Sequence, residues 1–159
     1  MLQIKNQGLH SKAGIKGICH VVLRGPDGKL KQERIIHNTV TELGDAHVAD
    51  QMSDSGEAAL GYIAVGTGSG QGAASIGLAT SLDRNAITST TQGAGAADND
   101  VIIVGDWVAG DGDGNITEAG IFLSDDNTSM NYYADFGVIT KGAADTLQIP
   151  SVFSSSFAF

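Results

Sequence analysis

Glu118 is the residue of this chain whose setting most demands a chemical explanation. It stands inside Gly114-Asn115-Ile116-Thr117-Glu118-Ala119-Gly120-Ile121-Phe122, a compact run of small and apolar residues that reads as a buried strand. A carboxylate in such a strand needs a partner, because an uncompensated buried charge is costly. Arg84, in Leu82-Asp83-Arg84-Asn85-Ala86-Ile87-Thr88, is the expected one. Strict alternation places Ile116, Glu118, Gly120 and Phe122 on one face, read as the core side, and Thr117, Ala119 and Ile121 on the other. A paired Arg84 and Glu118 would fix strand register more than it would add stability. The opposing reading, in which Glu118 projects into water, leaves its shared face with Ile116 and Phe122 unexplained.

Other patterns resemble chemical sites and fall short of them. Gly66-Thr67-Gly68-Ser69-Gly70-Gln71-Gly72 follows the apolar run Leu60 to Val65, as a phosphate loop would. That loop needs a terminal Gly-Lys-Ser/Thr, and no lysine lies between Gln32 and Asp135, so a flexible loop is expected. Asp111-Gly112-Asp113-Gly114-Asn115 opens like a calcium loop, but Ile116 and Phe122 occupy the places of the required glycine and glutamate. A hairpin turn is expected there. His10, His20, His37 and His47 all fall in the first third of the chain, away from the acid-rich turns, and no Gly-x-Ser-x-Gly elbow occurs. Cys19, between Ile18 and His20, reads as a small core residue. Trp107, Tyr132 and Tyr133 are the aromatics that a sugar-binding groove would use. Paired carboxylates for glycoside hydrolysis are the one catalytic arrangement that sequence can hide. The expectation is a non-catalytic protein with no metal or cofactor.

The elements that must position these residues follow from composition and period. Of 159 residues 22 are glycine and only 2 proline, which points to many turns between short strands. The net charge of −9 argues against nucleic acid as a partner. Nothing approaches the roughly 20 apolar residues of a membrane span, and no signal peptide is read at the start, so a soluble product made in the cytosol is expected. Residues 1–17 carry Lys5, Lys12 and Lys16 without an acidic residue and keep no period. They are read as an N-terminal arm contacting a neighbouring subunit or partner, ahead of a domain spanning 18–159.

Ile18 to Arg24 and Lys29 to Ile36 form a hairpin about Gly25-Pro26-Asp27-Gly28, whose spacing suits a type I turn. One short α-helix, with Asn38 or Thr39 as its cap, opens at Thr41-Glu42, with an apolar stripe of Leu43, Ala46, His47, Val48, Ala49 and Met52, and ends by Gly56. Strands are expected at 60–65, 83–90, 101–109, 116–124, 131–139 and 145–158. Together they predict a mainly β chain, an antiparallel β-sandwich of jelly-roll type.

The order of these segments resembles a known family. Ile35-Ile36-His37-Asn38-Thr39-Val40-Thr41 running into a helix, Tyr62-Ile63-Ala64-Val65-Gly66-Thr67-Gly68, Ser81-Leu82-Asp83-Arg84 and Ile116-Thr117-Glu118-Ala119-Gly120-Ile121-Phe122 are similar to segments of a family of tailed-bacteriophage virion proteins. The likeness covers residues 33–150 and departs at Asp83, which adjoins Arg84 where the family spaces its carboxylate further off. It implies a structural protein, usually a homotrimer, of β-sandwich or jelly-roll fold. The implied role is capsid decoration (a cement protein bound to the major capsid protein on the capsid exterior) or a tail, baseplate or neck-fibre part. Synthesis would be in the host bacterial cytoplasm.

Overall fold

Short β-branched runs separated by glycine turns fold here into antiparallel strands, and the computed structural model describes residues 12–158. The first sheet has the order β2-β1-β10-β7-β6, built from β1 (Lys12–Arg24), β2 (Leu30–His37), β6 (Ser89–Gln92), β7 (Asp100–Trp107) and β10 (Thr146–Ala158). The second has the order β3-β9-β8-β4-β5, from β3 (Thr39–Val40), β4 (Tyr62–Gly66), β5 (Ser81–Ala86), β8 (Gly114–Phe122) and β9 (Met130–Lys141). A helix, α1 (Glu42–Met52), lies between β3 and β4 in the chain. The β1–β2 turn closes through Gly28 N–H donating to Gly25 C=O at 2.9 Å, with Gly28 at φ +77°.

The two sheets pack face to face as a β-sandwich. Cys19, Val21, Leu23, Ile103 and Trp107 of the first sheet meet Ile63, Val65, Ala119, Ile121 and Tyr132 of the second. A second, smaller core lies on the far side of the second sheet. There Ala64, Phe122, Met130 and Tyr133 are buried with Leu78, which comes from the β4–β5 connection, residues 67–80. The outer face of the first sheet stays in solvent, with Ile18 43% and Ile35 66% exposed.

Five expectations change. Residues 12–17 are not an arm: they belong to β1 and pair with β10 from Lys12 opposite Ala158 to Gly17 opposite Phe153. Residues 1–11, with Lys5, lie outside the described residues. The single strand expected at 83–90 is two strands in opposite sheets, β5 and β6, because the chain crosses between them at Ile87 and Thr88. Residues 111–115 do not form a hairpin: they lead from β7 in one sheet to β8 in the other. The apolar stripe on α1 is not its buried face, since Leu43, Ala46, Ala49 and Met52 are exposed and only Gly44 is buried. A Cβ at Gly44 would run into the Asn131 carbonyl oxygen, so close backbone contact docks the helix. Thr41, rather than Asn38 or Thr39, caps it, accepting from Gly44 N–H at 3.1 Å while donating to Met130 C=O at 2.7 Å.

The fifth change concerns the glycine-rich connection after β4. Residues 67–80 are pinned across the second sheet rather than loose. Asn127 accepts from Leu78 N–H at 3.0 Å and donates to Leu78 C=O at 3.1 Å, and Gln71 donates to Gly77 C=O at 2.7 Å.

Candidate functional site

β4 and β8 are neighbours in the second sheet, with Gly66 directly opposite Glu118. A β-bulge between Ile116 and Glu118 breaks the simple alternation. Ile116, Ala119 and Ile121 therefore all enter the core between the sheets, while Glu118 and Phe122 point to the other side, beneath residues 67–80.

Glu118 is fully buried there. Its Oε1 accepts from Thr80 N–H at 2.8 Å and from Gly68 N–H at 3.0 Å, and its Oε2 accepts from Ala79 N–H at 3.1 Å. Next to it, Thr117 Oγ1 donates to Gly68 C=O at 2.6 Å. The three amides come from the two ends of one loop, so one carboxylate gathers both ends. The glycines make room: a Cβ on Gly68 would stand 2.8 Å from Oε1 and 2.6 Å from Ala79 Cβ. Tyr133, buried beside Glu118, has its phenol raised by burial first and by that carboxylate second.

Arg84 and Glu118 do not pair. The guanidinium lies over the Phe122 ring, 3.9 Å from its centroid, and its Nε is 3.7 Å from Asp125 Oδ1. Burial lowers the Arg84 pKa, against the pull of Asp125 and Asp126. The carboxylate had no need of a cation once three amides faced it.

A second acidic group sits where β5 meets the β7–β8 connection. Asp83 Oδ2 accepts from Trp107 Nε1 at 2.9 Å, and Asp111 Oδ2 accepts from Asn85 Nδ2 at 2.8 Å. Burial first, and the neighbouring Asp111 second, raise the Asp83 pKa. Asp113 turns away to Lys141 Nζ at 2.7 Å, and the Lys141 side chain is completely buried. The carboxylates of residues 111–115 thus face donors of their own chain, and no group of three or more His, Cys, Asp or Glu fit to hold a metal occurs among the described residues.

Reading side chains alone missed Lys141 with Asp113, and also Lys31, which donates to Asp145 at 2.7 Å and is the foremost cause of that carboxyl's lowered pKa. A lysine at the end of a strand reads as solvated, so no pattern pointed to its burial. Cys19 is buried, as expected of a core residue, and burial pushes its thiol up to about 12. His20 lies 3.1 Å from Glu33 on the surface, and His37 is exposed. Trp107, Tyr132 and Tyr133 are 1%, 5% and 2% exposed, so their rings line the cores rather than a sugar groove. Of the lysines read as a contact arm, Lys16 is exposed on β1, Lys12 lies in β1 opposite Ala158, and Lys5 is outside the described residues. No helix among the described residues is long and apolar enough to cross a membrane. Comparison with protein-family models, with curated proteins and with solved structures gives no match to this chain.

Proposed function

We propose that this chain is a non-catalytic structural protein of a bacteriophage virion, which binds the outside of the capsid and stabilises it. The observation that carries the reading is the use the fold makes of the resembling segments. Tyr62 to Gly68 and Ile116 to Phe122 lie side by side, and the carboxylate between them is taken up entirely by amides of residues 68, 79 and 80. Of the segments that carry the likeness, these two build a scaffold around that carboxylate.

The pairing of β1 with β10 and of β3 with β9, first strand with last at both sheets, supports the jelly-roll type within this proposal. Beyond Gly17, whose C=O still accepts from Asn38 N–H at 2.8 Å, the β2 side of β1 has no strand partner among the described residues, because β2 stops at His37 opposite Ile18. The edge of residues 12–16 is where a strand of the major capsid protein would add.

Antibody labelling of virions in negative stain tests the proposal. Label spread regularly over the head is the expected result. Label confined to tail or neck moves the function to a fibre or baseplate part, and an unlabelled particle overturns the virion reading.

A further inference from the structure

We propose that the uncovered face of the first sheet is a two-fold interface between copies of this chain. The second sheet has its outer face covered by residues 67–80, whereas the first presents Ile18, Ile35 and Ile102 to solvent at 43%, 66% and 36% exposure. Ile18, Val152 and Ile102 form one apolar row that half-buried Pro150 and Val104 continue, while Ile35 on β2 is set off from them by His20 of β1.

The arrangement of charge on this face selects a second copy as the occupant. β10 is the central strand, with β1 on one side and β7 on the other. Strand register places Lys16 of β1, Ser154 of β10 and Asp100 of β7 in one row. The next row inward is Ile18, Val152 and Ile102. Ser154 Oγ donates to the Asp100 carboxylate, which holds that carboxylate in place on the face. At the other end, Arg24 of β1 and Asp106 of β7 line a groove of about 370 Å³, with Gln148 of β10 donating to Asp106 at 2.8 Å. Strand β1 therefore presents Lys16 and Arg24 as its free charges, His20 being engaged with Glu33 of β2 at 3.1 Å, while β7 is acidic and the middle apolar.

A half-turn about an axis along β10 exchanges β1 and β7 between two facing copies. It lays Ile18 over the partner's Ile102, Val152 over Val152, and Lys16 over the partner's Asp100, each unlike contact occurring twice. Slight tilting of the axis accommodates the roughly 30° at which twisted sheets stack. A half-turn about an axis across the strands would set Lys16 and Arg24 of both copies on the same side. Five strands at about 4.8 Å and eight residues at about 3.3 Å give a face of roughly 600 Å². That is below the roughly 800 Å² per partner of a standard stable interface, so the dimer should dissociate on dilution.

Sedimentation velocity on the full chain from about 1 to 200 µM, a range that brackets a micromolar constant, tests this without any virion component. The expected result is a monomer–dimer equilibrium that weakens with added salt. Ile102→Lys should abolish the dimer while leaving the circular dichroism melt that of a folded protein. Lys16→Glu should weaken the dimer at least tenfold, and Lys16→Glu with Asp100→Lys should restore it, because the charges then exchange across the two-fold. A monomer at every concentration, a trimer, or a double exchange no better than the single one overturns the proposal. None of these outcomes bears on whether the protein is found on a virion.

Discussion

Glu118 performs for a loop what a capping side chain performs for a helix. The amides of Gly68, Ala79 and Thr80 point at one place from two directions, and each would be an orphaned donor without an acceptor there. Replacing Glu118 with alanine removes the acceptor and leaves a void beneath the loop, so the expected loss is about 3 kcal/mol by urea denaturation. Because Arg84 is engaged with Phe122 and Asp125 instead, a double-mutant cycle of Glu118→Ala with Arg84→Ala should show coupling below about 0.5 kcal/mol. Coupling above about 1 kcal/mol would restore the ion pair between them. Asp83 sets a different test. Its folded pKa lies above the ordinary 3.8, so its favourable contribution is complete below that value and is lost as pH rises through the folded pKa. Asp83→Asn should therefore lag the native chain in stability most at pH 3 and least at pH 7. A gap that widens toward neutral pH would contradict the raised value.

At the scale of elements, the β1–β10 pair sets what the termini can lose. The pairs from Lys12 opposite Ala158 to Lys16 opposite Ser154 extend this ribbon beyond the reach of β2. Removing 1–16 strips the strand from the end of β10 and should lower the thermal midpoint by several degrees more than removing 1–11 does. Equal midpoints would mean that the ribbon adds no stability. Much of the strand pattern was legible because β-branched runs and glycine turns each have a local cause. Glu118's burial was legible for the same reason, from the small and apolar residues around it. Its true partners were not: a backbone amide carries no letter in the sequence, so the search for a partner reached the nearest suitable side chain, Arg84. The crossing at Ile87-Thr88 has neither glycine nor proline to mark it, so β5 and β6 read as one strand. The docking of α1 was hidden for a related reason, since Gly44 seats it by what it lacks rather than by an apolar side chain.

Across the whole molecule, the question is whether the small core beneath residues 67–80 and the large core between the sheets fail together. The two share strands residue by residue. Ile63 and Val65 enter the large core while Ala64 between them enters the small one, and Ile121 and Phe122 divide in the same way. β8, which carries Glu118, is also the central strand of its sheet. Loosening one face of such a strand should release the other. Cys19 reports on this from a distance, since it lies in the opposite sheet, 2% exposed, with a thiol pushed up to about 12 that cannot react until the sandwich opens. In the native chain at pH 8, its alkylation rate should follow the population of the globally open form. If the cores are one cooperative unit, a variant weakened by about 3 kcal/mol at Glu118 should label roughly 100-fold faster, since each 1.4 kcal/mol is a factor of ten. An unchanged rate alongside a measured loss of stability would show that residues 67–80 lift away alone, leaving the sandwich closed behind them. The shared strands argue for the faster labelling: β4, β8 and β9 lie between the two cores and send side chains into both, so what loosens one face of them is felt on the other.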